Sequence, residues 1–217
     1  AFYAVVGLVN FYSGRLFFMI KEEKTVEKIY KFKGNIINVR CDRALTCDGR
    51  PCTREIIEHP GGVSIIAFND KNELFLVRQY RYAVGESLLE LPAGKLERGE
   101  DPLSCAKREL VEETGYEAEN FTLFGVMYPS PGCLEEKHYI YLADGLRFKG
   151  QHLDDDEFLD VVTLPFDEKM HSCPWQDFLD MLCRDYGAVG FVCGEDFRFG
   201  AGGTGDALRL AVYCRRA

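Results

Sequence analysis

Residues 94–116, GKLERGEDPLSCAKRELVEETGY, constrain this chain more than any other stretch. Asp101 followed by Pro102 marks a helix start, because an Asp side chain caps free N–H groups and proline is tolerated at the first helical position. Gly115 marks the stop, since the residue just past a helix often needs positive φ. At about 100° per residue, Leu103, Ala106, Leu110 and Thr114 share one face, which is predicted to pack on a sheet. Glu109, Glu112 and Glu113 fall on a different arc, roughly 100° wide. Carboxylates so close repel one another in water by about a few tenths of a kcal/mol per pair, and a divalent cation reverses that sign. Hard oxygen ligands of this kind suit Mg²⁺, with Mn²⁺ as a substitute. A bare E-x-x-E-E is more simply a solvated acidic helix face. Here it arrives with Gly94, Glu100, Arg108, Leu110, Gly115 and Tyr116 in the pattern G-x5-E-x7-R-E-L-x-E-E-x-G-Y, and a metal site is the better reading. Arg108 is expected to hold the glutamates and the preceding loop through charge-assisted hydrogen bonds.

A chain of 217 residues that is 47% hydrophobic can bury a core of its own. Its 26 Lys and Arg against 35 Asp and Glu give a net charge of −9, which argues against a nucleic-acid partner and suits a site that reaches polyphosphates through cations. The 9 cysteines are scattered, form no C-x-x-C pair and do not cluster with the 4 histidines, so no zinc-site pattern is present. Reduced thiols in a cytoplasmic protein are the simplest reading, with that of Cys133 incidental. Residues 1–20, AFYAVVGLVNFYSGRLFFMI, are interrupted by Asn10, Ser13, Gly14 and Arg15 and lack the features of a signal peptide. They read as a strand pair turning at Ser13-Gly14, or as an extension, and no membrane partner is expected.

Strand-like runs follow. EKIYKFK and NIINVRCDRAL lead to a hairpin turn at Asp48-Gly49-Arg50-Pro51 and then to TREIIEHP. GVSIIAF and ELFLVRQYRY are separated by a turn at Asn69-Asp70-Lys71-Asn72. Beyond the helix come FTLFGVMY, HYIYLADGL and FLDVVTL. One helix embedded among many strands indicates an α+β fold with the helix on a mixed sheet.

The 94–116 pattern resembles the Nudix box of the Nudix hydrolases at every defining position. The wider stretch, residues 21–164, resembles their ADP-ribose pyrophosphatase branch through TREIIEHPGGV, LVRQYRYAVGESLLELPAGKLERGE and YPSPGCLEEKHYIYLA. The resemblance implies a Nudix fold, an α/β/α sandwich preceded by an N-terminal antiparallel strand region. It divides the chain into an extension (1–20), a strand region for dimerisation and substrate contacts (21–60), the Nudix domain (61–168) and an appendage (169–217). It also implies roles. Glu109, Glu112, Glu113 and the carbonyl of Ala93 would hold the metal, with Glu112 as an alternative water-activating carboxylate. Glu136, on a mobile loop, would orient or deprotonate the attacking water, with Glu135 as a substitute. Arg54, Glu55, Arg78 and Glu90 would contact substrate, Arg54 and Glu55 from a partner subunit in a homodimer with exchanged N-terminal strands. For the arginines a solvated strand position is the competing reading, and Glu90 could equally support a neighbour. Ser130, Pro131 and Gly132 look like the segment that marks ADP-ribose specificity.

The tail departs from the pattern. Gly194-Glu195-Asp196-Phe197-Arg198-Phe199-Gly200 with Gly205-Asp206 resembles part of the nucleotidyltransferase domain of bacterial riboflavin kinase and FAD synthetase, without that domain's histidine-bearing motif. Leu164-Pro165-Phe166-Asp167-Glu168 fits both families. A strand at 189–193 and a helix at 207–213 are expected, too little to build a core, so the tail is predicted to replace the usual closing helix and to bury Phe191, Phe197, Phe199 and Leu208 against the Nudix sheet. The implied reaction is Mg²⁺-dependent hydrolysis of ADP-ribose to AMP and ribose 5-phosphate. Hydrolysis of other nucleoside diphosphate sugars or of dinucleotides such as FAD is the enzymatic alternative. A Nudix module that binds ADP-ribose without cleaving it, or a fusion inactivated by its tail, are alternatives of other kinds.

Overall fold

The computed structural model describes residues 21–153, 158–186, 188, 191 and 198–215. The strand pair expected within residues 1–20 lies outside them, as does most of the strand expected at 189–193. Four strands open the described chain: β1 (Lys24–Glu27), β2 (Tyr30–Lys33), β3 (Asn38–Leu45) and β4 (Pro51–Glu58). β3 pairs antiparallel with each of the others, and its register with β4 runs from Leu45↔Pro51 to Asn38↔Glu58 across the expected 48–51 turn.

The centre is built from β5 (Gly62–Ala67), β6 (Glu73–Arg81), β7 (Glu86–Glu90), β8 (Ala93–Lys95), α1 (Pro102–Thr114), β9 (Tyr116–Met127), β10 (His138–Phe148) and β11 (Leu159–Pro165). One sheet has the order β8-β5-β10-β9 and is mixed, since β5 and β10 run parallel. A second, antiparallel sheet has the order β11-β6-β7. The turn at 69–72 forms, yet β5 and β6 make only an isolated bridge, Phe68↔Leu74, before diverging into different sheets. Both edges of each strand are taken by other partners, so local turn chemistry sets the bend while the competition for edges decides the pairing.

Alternation along the strands creates two apolar faces. Val63, Ile65 and Ala67, with Tyr141, Ala143 and Phe75, pack on Cys105, Ala106 and Leu110 of α1. Leu74, Leu76 and Leu164 point the other way and meet Ile66, Leu89 and Leu91, together with Met170, Met181 and Tyr186 from the segment after β11. The result is the expected α/β/α layering, in which burying each large aliphatic side chain contributes roughly 1.5–3 kcal/mol.

That later segment corrects the reading of the tail. It forms α2 (Glu168–His171), α3 (Trp175–Tyr186), β12 (Arg198–Phe199), a 3₁₀ turn (Ala201–Gly203), β13 (Gly205–Asp206) and α4 (Ala207–Cys214). A closing helix is therefore present. Leu179, Phe199 and Leu210 make a small core of their own with Trp175, Phe178, Phe191 and Tyr213. Phe199 is buried against α3 instead of the sheet, Leu208 is 76% exposed, and Phe197 lies outside the described residues. The cooperation of α3 with α4 supplies the second apolar surface that the short fragment lacks by itself. Among the described residues every cysteine is free, and no helix is long and apolar enough to cross a membrane.

Candidate active site

α1 begins and ends as its sequence demands. The Asp101 side chain accepts the Ser104 N–H at 3.1 Å, and Gly115, at φ 77°, donates its N–H to the Val111 carbonyl at 2.8 Å. Ala106, Leu110 and Thr114 are buried on the predicted face, and Leu103 packs at its edge. Two of the three glutamates are buried as well: Glu109 is 7% and Glu113 2% exposed. Buried carboxylates need partners, and Arg108 provides several. Its Nε and Nη2 donate to Glu100 at 3.1 and 3.0 Å, and its Nη1 donates to Glu109 at 2.9 Å and Glu112 at 2.8 Å. Glu100 also accepts the Glu97 N–H at 2.9 Å, which ties the loop before the helix to the same fork.

The electrostatics follow from this geometry. Hydrogen bonding to Glu100 holds the Arg108 guanidinium above its ordinary range, and the same bond holds the Glu100 carboxyl below the usual carboxylate range. Beneath them, burial pushes the Cys105 thiol up to about 12, so it stays protonated.

One turn further along the same face, the Ala93 N–H donates to Glu113 at 2.8 Å. Gly94 follows, and a Cβ there would overlap the Glu109 carboxylate. This backbone thus approaches the glutamates as only glycine allows. Among the described residues, no three metal-ligating side chains converge on one point, because Arg108 stands between Glu109 and Glu112. The donor set nevertheless fits a hard divalent cation: carboxylate oxygens from Glu109, Glu112 and Glu113, the Ala93 carbonyl beside them, and a guanidinium already bridging two of the anions.

A cleft of about 930 Å³ opens over this cluster. Gly94, Arg108, Glu109, Glu112 and the Lys95 to Gly99 loop line one wall, and Asn38, Glu58 and His59 line another. The latter three were not singled out from the sequence, and their signal is weak. Along β4, Arg54 shares the face of Glu58 but lies four residues away, roughly 13 Å in an extended strand. Arg54 is exposed and donates to Glu23 at 2.7 Å, and Glu55 is exposed too, so neither lines the cleft. Arg78 is exposed on β6, and Glu90 accepts from Arg81 at 2.6 Å. Ser130, Pro131 and Gly132 form an exposed turn.

The segment carrying Glu135 and Glu136 is not free of the body. Ile57 donates to the Cys133 carbonyl at 2.7 Å and accepts from the Glu135 N–H at 2.9 Å, so the loop lies along β4. Glu135 approaches Arg40 at 3.8 Å, where that buried guanidinium also pairs with Asp42 and Glu58. Glu136 does not join the box glutamates. It lines a second cavity of about 320 Å³ with Ser64, Leu91, Met127 and His138.

A NUDIX domain model matches residues 58–176, which include the helix, its glutamates and both cavities except Asn35, Ile36 and Asn38. The chain belongs to the Nudix family. It is 42% identical over 159 residues to the methanol dehydrogenase activator of Bacillus methanolicus, covering 72% of this chain and 84% of that protein. It is 37% identical over 151 residues to the ADP-ribose pyrophosphatase of Bacillus subtilis, covering 69% and 82%. A crystal structure of an ADP compounds hydrolase superposes with a TM-score of 0.60 at 22% identity, over 69% of this chain and 82% of that one, and shows the shared fold. With no box glutamate missing, this Nudix protein is a diphosphatase, of a family that works with divalent cations.

Proposed function

We propose that this Nudix diphosphatase hydrolyses ADP-ribose to AMP and ribose 5-phosphate with Mg²⁺. The observation that carries the reading is the approach of the Ala93-Gly94 backbone to Glu113 and Glu109, with Glu109 and Glu112 held by Arg108 on the wall of the cleft. Those side chains and the Ala93 carbonyl would hold the ion. When bound, Mg²⁺ neutralises the diphosphate and lowers the pKa of attacking water. Arg108, itself held by Glu100, keeps Glu109 and Glu112 beside the cleft, and loading the ion would move the guanidinium from between them. Lys95 and Arg98 bring positive charge to the loop wall, and Asn38 and Glu58, hydrogen-bonded at 3.3 Å, offer polar groups to a sugar or base. Glu136, which stands apart from the box glutamates in the second cavity, would orient or deprotonate the attacking water, with Glu135 as its substitute.

Arg54 and Glu55 would then reach substrate from a partner subunit in a homodimer, Arg78 and Glu90 would line the same pocket, and Ser130, Pro131 and Gly132 would contribute through the loop they form. Support for a dimer comes from β1 and β2, which are exposed along their whole lengths with Val26 at 56% and Phe32 at 55%. The relative from Bacillus methanolicus favours a second reading, in which the same hydrolysis serves to activate a methanol dehydrogenase.

A phosphate-release assay, coupled to a phosphatase, tests the first reading. ADP-ribose with Mg²⁺ is expected to give phosphate and to exceed FAD and nucleoside triphosphates in kcat/KM. Preference for FAD would overturn the substrate choice, and turnover unchanged by chelation would overturn the metal. Stimulation of a methanol dehydrogenase by the active protein, lost together with hydrolysis in Glu113→Gln, would support the second reading.

A further inference from the structure

The second cavity lies on the face of the β8-β5-β10-β9 sheet opposite α1. Val63, Ile65, Tyr139 and Tyr141 point to the helix side, so their neighbours Gly62, Ser64, His138 and Ile140 point away. In register, His138 stands beside Gly62 and Ile140 beside Ser64. Gly62 has no side chain, and the imidazole of His138 lies over it; a Cβ at Gly62 would meet His138 Nδ1 at 3.0 Å. Leaning across that gap, His138 brings Nε2 to 2.8 Å from Ser64 Oγ and Nδ1 to 3.1 Å from Glu136 Oε1. The side chains of His138 and Glu136 are 18% and 17% exposed.

The direction of each hydrogen bond follows from chemistry. A carboxylate only accepts, so Nδ1 carries the proton toward Glu136, and in the neutral ring Nε2 must then accept from the Ser64 hydroxyl. Ser64 is itself fixed, because β5 is paired on both sides and Ser64 stands in register with Ala93, whose N–H holds Glu113. The order serine, histidine, carboxylate also occurs in nucleophilic hydrolases. Here the serine sits within a central strand paired on both sides, so the backbone N–H groups of that strand are spent in the ladder and do not offer an oxyanion hole.

We propose that His138, seated on Ser64 in its Nδ1–H tautomer, is a positioning residue that orients the Glu136 carboxylate for the hydrolysis. The inference rests on the role given to Glu136 above. Gly62 leaves room for the ring, since a Cβ there would press on His138 Nδ1 at 3.0 Å and Cε1 at 3.1 Å. The backbone bonds between Ile57 and residues 133 and 135 place the loop, and His138 sets the side-chain direction within it.

The test uses the full chain. His138→Ala should lower kcat by about 10–100-fold, the usual cost of removing a group that orients a functional carboxylate or ligand, with KM nearly unchanged. His138→Asn, whose amide nitrogen replaces Nδ1, should restore much of the rate, and His138→Gln should not. In a Glu136→Gln background His138→Ala should cost nothing further. Loss of rate in Glu136→Gln with none in His138→Ala would overturn the inference and leave the proposed function standing. An unimpaired Glu136→Gln would overturn both the role of Glu136 and its positioning. A readout independent of turnover is the ¹⁵N spectrum of the His138 ring at alkaline pH. A protonated Nδ1, altered by Ser64→Ala and by Glu136→Gln, is expected whatever substrate the protein takes. A protonated Nε2, or a spectrum indifferent to both substitutions, would overturn the arrangement itself.

Discussion

α1, of 13 residues, and α3, of 12, cover opposite faces of the same sheets, yet they bury different things. α1 has six buried residues, among them Glu109 and Glu113, whereas α3 has one, Leu179. The charged burial on α1 is tolerable because its partners are close in the chain: Arg108 and Glu100 in the box, and the Ala93 N–H just before it. α3 holds its place through scattered apolar contacts, with Met181 and Tyr186 on the sheet side and Leu179 on Phe199 and Leu210. One helix is built to present anions at a defined place, and the other to close a surface. Substitutions on α1 should therefore register in turnover, and those on α3 in stability.

The largest expected effect is on the chemistry. Glu113→Gln should leave the circular dichroism spectrum intact and lower kcat by roughly 10²–10⁴-fold, the scale of losing a positioned base or metal. Near wild-type turnover at saturating Mg²⁺ would remove Glu113 from the machinery and erase the contrast with α3. Leu179→Ala should do the reverse, costing about 2–5 kcal/mol in urea unfolding while kcat per folded molecule is unchanged. A fall in kcat would show that the tail reaches the cleft.

Gly94→Ala sharpens the comparison because it acts on both quantities. The new methyl group meets the Glu109 carboxylate, so stability should drop by about 1–3 kcal/mol and turnover with it. Unchanged unfolding would mean that the backbone yields there without cost.

The smallest effect concerns Glu100, whose carboxyl Arg108 holds below its ordinary value. A depressed carboxylate contributes stability that is present above the unfolded-state pKa, about 4.3 for Glu, and is lost as pH falls through the folded value. Glu100→Gln lacks that contribution at every pH. The difference in Tm between wild type and variant should accordingly be widest near neutrality and shrink in acid. A constant difference would assign the effect to packing.

Some of this was legible from residue spacing alone. Asp101, Pro102 and Gly115 set the limits of α1, and the angular period placed Leu110 inward and the glutamates together. Arg108 could be expected to tie Glu100 to Glu112 because each is within helical or loop reach. The wall formed by Asn38, Glu58 and His59 was not legible, because it depends on how β3 and β4 lie against the 94–99 loop. Arg54 looked equally suitable for that wall, and nothing in the local pattern distinguishes it from Glu58.

What the sequence determined by itself was therefore the local machinery: a capped helix, its apolar stripe, its glutamates and the arginine that holds them. These features depend on interactions within about two turns of one another, and their free energies are decided by neighbours along the chain. Tertiary structure alone decided the separation of β5 from β6, the small core between α3 and α4, and the meeting of Ser64, His138 and Glu136. Each of those requires strands or helices far apart in the chain to choose among several possible partners. That choice is made by which edges and apolar faces remain uncovered once all the elements have packed.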